Sequence, residues 1–166
     1  FAFSGLTKPE NGDFLNYIHI YFEWDQVPDA SSYNIQASNQ QSFNNLIIDI
    51  EENSTSYIDK NNFDWNNNYF WRVRPIYNDG NYGNWISTSY FQIGNTILPN
   101  LDVYIYNDDL IQDGLNMYSQ FSPYFAVGVI DKNGNEIWNT QSVYMNHISE
   151  FGQLYGVNGQ GVQFNY

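Results

Sequence analysis

The pattern of apolar and polar residues is clearest in residues 69–74, where large apolar side chains alternate with charged ones. Tyr69 and Trp71 share one face of a predicted strand, because side chains on a strand point to alternate faces. Arg72 and Arg74, the only arginines of the chain, share the opposite face. Asparagine-rich segments on both sides favour turns. The pattern predicts a long central strand with an apolar face and an arginine-bearing face, and we expect the arginines to pair with carboxylates of neighbouring strands.

Similar short stretches of alternation occur throughout the first hundred residues, separated by turn residues. The sequence contains no segment with convincing helical periodicity. Seven short strands with turn signals at roughly 8–12-residue intervals predict an all-β, immunoglobulin-like sandwich in residues 1–95. The predicted strands cover residues 1–12, 17–24, 32–38, 46–50, 55–58, 69–77 and 85–93.

The character of the sequence changes at residues 96–100, which predict a short linker. Residues 101–166 are again β-rich, with strands expected at 101–106, 115–121, 124–131 and 135–139. Asn133-Gly134 is a strong hairpin signal between the last two of these strands. We therefore expect a second antiparallel β region that follows the sandwich.

Charge and composition limit the kinds of molecule that this chain is expected to bind. The chain has 18 acidic and 5 basic residues, a formal net charge of −13, and no cysteine. Such a negative field repels nucleic acid and anionic membranes. There is no long apolar run that would insert into a membrane, and disulfides and thiolate metal sites are excluded. The composition is typical of secreted, cell-surface or periplasmic proteins, so the expected partners are proteins or glycans, including further copies of the chain.

Side chains suited to catalysis are scarce. His19 lies on the polar face of a predicted strand, and His147 has no second histidine or cysteine near it in the sequence. Asp131 begins a pattern that superficially resembles a calcium loop. The glycine of such a loop is displaced here, and Ser142 stands where a bidentate glutamate is required. The sequence predicts no catalytic residue, no metal ligand and no cofactor, and therefore no enzymatic activity for this chain as given.

The first region resembles a bacterial fibronectin type III domain over roughly residues 10–94. The resemblance is carried by segments 22–24, 27–36, 69–75 and 80–85, which include Phe-Glu-Trp, Val-Pro-Asp-Ala-Ser-Ser-Tyr, Tyr-Phe-Trp-Arg-Val-Arg-Pro and Gly-Asn-Trp. It implies that Trp24 and Tyr33 pack in the core and that Tyr69 ties down a corner, while the strand pattern adds Trp71 to the core. No Arg-Gly-Asp tripeptide is present.

The second region resembles the opening blade of an arylsulfotransferase-like β-propeller. The segments that carry the resemblance are 113–115 (Asp-Gly-Leu), 121–125 (Phe-Ser-Pro-Tyr-Phe), 129–138 (Val-Ile-Asp-Lys-Asn-Gly-Asn-Glu-Ile-Trp) and 150–156 (Glu-Phe-Gly-Gln-Leu-Tyr-Gly). The resemblance implies transfer of a sulfuryl group between phenolic compounds through a histidine nucleophile, without a nucleotide cofactor. The catalytic residues of that family lie further along the propeller than this chain reaches, so none is assigned here.

Three hypotheses follow. The leading one is a non-catalytic spacer or docking portion of a secreted arylsulfotransferase-like protein. The second is an extracellular structural or adhesive protein that assembles through strand edges, because about 70 residues are too few for a propeller and would leave edges unpaired. The third is a carbohydrate-binding module. Its aromatic platform would draw on four residues: Trp65, Tyr82, Trp85 and Trp138.

Overall fold

The structure of the chain is a computed structural model, and it describes residues 5–98, 107–110, 114–122, 124–149, 153–158 and 163–165. The protein is all-β, as the alternation of apolar residues predicted. The chain divides into two compact units, Phe1–Gly94 and Asn95–Tyr166. None of the described residues belongs to a helix long and apolar enough to cross a membrane.

Residues 5–94 of the first unit form two β-sheets. One has three antiparallel strands in the order β1–β3–β6, and the other has five strands in the order β2–β8–β7–β4–β5. All neighbours in the larger sheet are antiparallel except β2 and β8, which are parallel. The strands are β1 (Leu6–Lys8), β2 (Asp13–Leu15), β3 (Ile20–Trp24), β4 (Ala30–Ser38), β5 (Leu46–Glu52), β6 (Ser56–Asp59), β7 (Asn67–Tyr77) and β8 (Thr88–Ile93).

Aromatic side chains from both sheets form the core between them. Phe22 of β3 is fully buried, and its ring centroid lies 5.0 Å from that of Trp71 on β7. Trp24 and Tyr33 pack edge to face with centroids 5.5 Å apart. The hydroxyl of Tyr69 accepts a hydrogen bond from the Asp64 backbone N–H, and burial raises the pKa of this phenol. Each of the four residues assigned to the core, Trp24, Tyr33, Tyr69 and Trp71, is at least 96% buried.

The edge strand predicted within residues 1–12 is present in a shorter form as β1, and a second short strand, β2, follows it in the other sheet. β1 pairs with β3 in the smaller sheet, whereas β2 pairs with β8 in the larger one. Pro9 lies between β1 and β2 and has no N–H to donate to a strand ladder. Gly12 has a φ of 92°, which glycine adopts readily. Residues 1–4 lie outside the described residues.

The described residues of the second unit form two further antiparallel sheets, in the orders β11–β10–β9 and β12–β13–β14. The predicted hairpin is confirmed, since β10 and β11 are antiparallel neighbours across residues 131–135. The strands β12, β13 and β14 were not predicted, and the strand expected at 101–106 falls outside the described residues. The strands are β9 (Asn116–Gln120), β10 (Ala126–Ile130), β11 (Glu136–Gln141), β12 (Val143–Ile148), β13 (Leu154–Asn158) and β14 (Gln163–Asn165); a short 3₁₀ helix spans Asp108–Leu110.

The carboxylate of Asp131 stabilises the hairpin turn. Its Oδ1 accepts hydrogen bonds from the backbone N–H groups of Asn133, at 2.8 Å, and Asn135, at 2.9 Å. Its Oδ2 accepts a third from the side-chain amide of Asn135 at 2.8 Å. Aspartate commonly closes turns in this way, which accounts for the Asp-x-Asn-x-Asn pattern by local hydrogen bonding.

The segment predicted as a linker begins within the second unit. The backbone N–H groups of Ile97 and Leu98 donate hydrogen bonds to the carboxylate of Glu136, which is 8% exposed. Leu98 also packs directly on Gly128 of β10, where an added Cβ would lie 2.0 Å from a Leu98 methyl group. Residues 97 and 98 are therefore fixed to the second unit by a buried carboxylate and by close packing.

Candidate functional site

The four residues of the predicted aromatic platform lie in three places. Trp65 precedes β7 and packs against the core of the first unit. Tyr82 and Trp85 follow β7 and lie on the outer face of the five-stranded sheet, beside Arg74. Trp65 lies before the first residue of β7 and Arg74 lies near its end, so roughly 20 Å of strand separates Trp65 from Tyr82 and Trp85. Trp138 belongs to β11 in the second unit and packs against a separate small core there.

Five aromatic and arginine side chains of the first unit form a stacked row, which we call the outer-face stack. Aromatic rings alternate in it with guanidinium groups. Each guanidinium carbon lies 4.0 to 4.4 Å from the centroids of its two neighbouring rings. These are close cation–π distances. In order, the outer-face stack consists of Phe43, Arg72, Trp85, Arg74 and Tyr82.

The strand geometry of β7 explains the centre of the outer-face stack. Arg72 and Arg74 are two residues apart on one face, so their positions are separated by about 7 Å. This spacing allows the indole ring of Trp85 to lie between the two guanidinium groups. Trp85 is held there because the N–H of the next residue, Ile86, donates to the carbonyl of Val73 at 2.9 Å.

The two ends of the outer-face stack come from loops. Phe43 lies between β4 and β5 with a φ of 56°, a conformation unusual for a bulky residue. Tyr82 lies after β7 and is followed by Gly83, where an added Cβ would approach Pro75 Cγ to 2.6 Å. The close approach of Gly83 to Pro75 thus positions Tyr82 over Arg74.

Amide side chains of β4 complete the hydrogen bonding of the arginines. Gln36 Oε1 accepts two hydrogen bonds from Arg72, at 3.0 and 2.7 Å, and Asn34 Oδ1 accepts one from Arg74 Nε at 2.9 Å. The amide of Asn34 in turn donates to Asp49 of β5 at 2.8 Å. The expected arginine–carboxylate pairs are therefore wrong, since no carboxylate of the described residues lies within 4.0 Å of either guanidinium. The arginines instead bond to neutral side-chain amides, which lie directly opposite them in the register between β4 and β7.

The outer-face stack also explains why β4 is buried on both faces. Asn34 is 4% exposed and Gln36 is 7% exposed, although both point away from the core. The rings and guanidinium groups above them exclude water, and desolvation lowers the pKa of Arg72, with a further contribution from the charge of Arg74. Buried polar groups of this kind must be hydrogen-bonded to avoid a large desolvation cost. The amide–guanidinium bonds meet that requirement.

Tyr82 connects the outer-face stack to the edge strand of the sheet. Its hydroxyl donates a hydrogen bond to Glu51 Oε1 on β5 at 3.0 Å. This bond, together with the negative charge of Glu51, raises the pKa of Tyr82 above its ordinary value. Half of the Tyr82 surface remains exposed. The stack therefore spans the sheet from β7 to β5.

Neither histidine is a member of the outer-face stack. His147, on β12, is exposed and its ring stacks against Tyr155 of β13 with centroids 5.8 Å apart. His19 precedes β3 and is half-buried. In the part of the chain that the structure describes, no group of three histidine, aspartate or glutamate side chains could hold a metal ion.

Comparisons with known proteins assign the chain to no family. No protein-family model matches the sequence, and no curated protein does. Among solved structures, the chain is similar to native α-L-rhamnosidase from Aspergillus terreus, with a TM-score of 0.37 and 9% sequence identity. The match covers 99% of this chain but only 28% of the rhamnosidase chain. A likeness of this size identifies neither a family nor a function.

The hydrogen bond between Tyr82 and Glu51 predicts a shifted titration. The pKa of Tyr82 is raised in the folded protein, so the bond contributes stability below the unfolded value of about 10 and loses it as the pH rises through the folded pKa. We expect NMR of ¹³C-labelled tyrosine to show a pKa of Tyr82 above the value of about 10 of an unperturbed tyrosine, and Glu51→Gln to lower that pKa. Glu23→Gln, which removes one charge from the other sheet, is the matched control. A wild-type Tyr82 whose pKa is not raised above the ordinary tyrosine value would contradict the hydrogen bond.

Proposed function

We propose that the chain is a non-catalytic spacer or docking portion of a secreted, arylsulfotransferase-like protein. In this proposal, the first unit is a fibronectin type III-like sandwich and the second begins the β-propeller. The support for the family is the pair of sequence resemblances at residues 10–94 and 98–166. The sulfuryl transfer itself would be carried out by residues beyond those present here.

The observation that favours a spacer over a glycan-binding platform is the environment of Trp85. Sugar-binding tryptophans present an open ring face, whereas this indole has a guanidinium carbon at 4.0 Å and another at 4.4 Å. The two arginines are themselves bonded to amides of β4. The aromatic residues of this face are therefore used to brace the strands of the sheet. A braced sandwich is well suited to separating or positioning other domains.

The proposal is tested by comparing the 166-residue chain with the protein as its source organism makes it. We expect the natural protein to be at least twice as heavy as the 19.4 kDa of this chain. We also expect it to transfer sulfuryl groups from an aryl sulfate to a phenol, and the 166-residue chain to lack this activity. A natural protein of 19.4 kDa, or transfer by the short chain itself, would overturn the proposal.

Retention on insoluble polysaccharides separates the spacer from the carbohydrate-binding alternative. We expect the wild-type chain to pass through such columns unretained, as would variants Trp65→Ala and Tyr82→Ala. If the wild-type chain were retained and either variant were not, the platform hypothesis would be favoured instead. Circular dichroism of each variant checks that a loss of retention does not come from unfolding.

A further inference from the structure

The strand at one end of the five-stranded sheet offers an open edge. In the part of the chain that the structure describes, β5 pairs with β4 on one side and is the last strand of the sheet on the other. Its seven residues, Leu46–Glu52, form one of the longer strands of the first unit. An unpaired edge presents backbone N–H and C=O groups that can accept another strand. The length of β5 is sufficient for a stable strand pair.

The charge of this edge selects among the possible occupants. β5 carries Asp49, Glu51 and Glu52, of which the first two are exposed, and the whole chain has a net charge of −13. Like charges on adjacent strands are destabilising, so a second copy of this chain is a poor partner for β5. An extended segment with basic side chains is attracted to it by the same charges. Charge complementarity therefore favours a basic partner.

The end of the outer-face stack adds a specific feature to this general attraction. The outer-face stack alternates rings and cations and terminates in the ring of Tyr82, which is half exposed. One side of that ring contacts Arg74, so the next member of the alternation would be another cation. The Tyr82 hydroxyl is bonded to Glu51, which places a carboxylate at the edge of the same ring. A guanidinium on Tyr82 would thus meet a ring face and a carboxylate together.

We infer that β5 and Tyr82 form a docking site for an extended, arginine-containing segment of another protein. The segment adds a strand to the sheet at β5, and one of its arginines stacks on Tyr82 and pairs with Glu51. Arginine is favoured over lysine because its planar guanidinium both stacks and forms bidentate hydrogen bonds. This inference goes beyond the proposed function, since it applies to the sandwich whether or not a propeller follows.

The test is a fluorescence-polarisation titration of the 166-residue chain with a labelled nonapeptide in which arginine alternates with threonine and valine. We expect binding that weakens as salt is raised. We expect Tyr82→Leu and Glu51→Gln each to weaken binding by about tenfold, the range of a desolvated cation–π contact or a charged hydrogen bond. Glu23→Gln, which makes the same charge change on the other sheet, should alter it by less than about twofold. Near-ultraviolet circular dichroism confirms that each variant is folded.

Two altered peptides test the mode of binding. A peptide of the same sequence that is N-methylated at alternate residues cannot complete the strand pair, and we expect its binding to be lost. A lysine peptide should bind at least several-fold more weakly than the arginine peptide. The inference is overturned if the arginine peptide does not bind, if the methylated peptide binds equally well, or if Glu23→Gln weakens binding as much as Glu51→Gln. Dimerisation of the chain without peptide that is abolished by Tyr82→Leu would identify a second copy as the occupant and also overturn it.

Discussion

Replacing Trp85 with alanine is expected to lower the free energy of unfolding of the first unit by about 3 kcal/mol. The substitution removes the central ring of the outer-face stack and both of its guanidinium contacts, at 4.0 and 4.4 Å. It also lets water reach Gln36 and Asn34, which the stack keeps buried. Urea denaturation followed by circular dichroism measures the effect without relying on the fluorescence of the residue that is removed.

Two further variants separate stacking from simple loss of surface contact. Trp85→Phe retains a ring between the arginines, so we expect it to cost less than half as much as Trp85→Ala. Tyr21→Ala removes a ring that is 40% exposed on the smaller sheet, and its expected cost is below about 1 kcal/mol. A loss for Trp85→Ala no larger than that for Tyr21→Ala would show that the stack does not brace the sheet.

Replacing Glu136 with alanine is expected to destabilise the second unit by about 3 kcal/mol. The buried carboxylate accepts hydrogen bonds from the N–H groups of Ile97 and Leu98 and from the side-chain amide of Asn139. Alanine leaves these donors without this acceptor, the buried N–H of Leu98 among them, and an unsatisfied buried donor costs about 1–3 kcal/mol. Amide hydrogen exchange of residues 97 and 98 reports the change locally, and we expect their exchange to accelerate by at least tenfold.

Glu136→Gln provides the matched comparison. Glutamine keeps the size of the side chain and one acceptor oxygen, but its NH₂ group faces donors instead of accepting from them. We expect it to destabilise the unit by roughly half as much as alanine. Asp109→Asn, which removes a charge from an exposed position, should leave the exchange of residues 97 and 98 unchanged. Equal exchange rates in the wild type and Glu136→Ala would contradict the role of the carboxylate.

Local patterns in the sequence were sufficient for most strands of the first unit and for the buried faces of several of them. Alternation in residues 69–74 assigned Tyr69 and Trp71 to the core, and both are buried. Asn133-Gly134 located a hairpin that the structure confirms. These features depend on the period of a strand and on turn chemistry, which act over a few residues and are therefore readable from the sequence.

The partners of the arginines could not be read in the same way. Arg72 and Arg74 were correctly placed on one face, but the sequence suggested carboxylates and the structure gives Gln36 and Asn34. The pairing depends on the register between β4 and β7, in which these residues are directly opposite. The polar alternation of Asn34 and Gln36 in β4 was a usable signal once that register was known.

What the sequence determined by itself is the all-β class, most of the strand positions and the apolar core of the first unit. Only the tertiary structure brought Phe43, Trp85 and Tyr82 together around the two arginines, because Phe43 comes from the loop between β4 and β5 and the other two from the loop between β7 and β8. The same holds for Glu136, which accepts hydrogen bonds from Leu98 and Ile97, respectively 38 and 39 positions earlier in the chain. Strand periodicity is a local property of the chain. Contacts between distant segments are fixed by how the sheets pair and pack, and no local pattern specifies them.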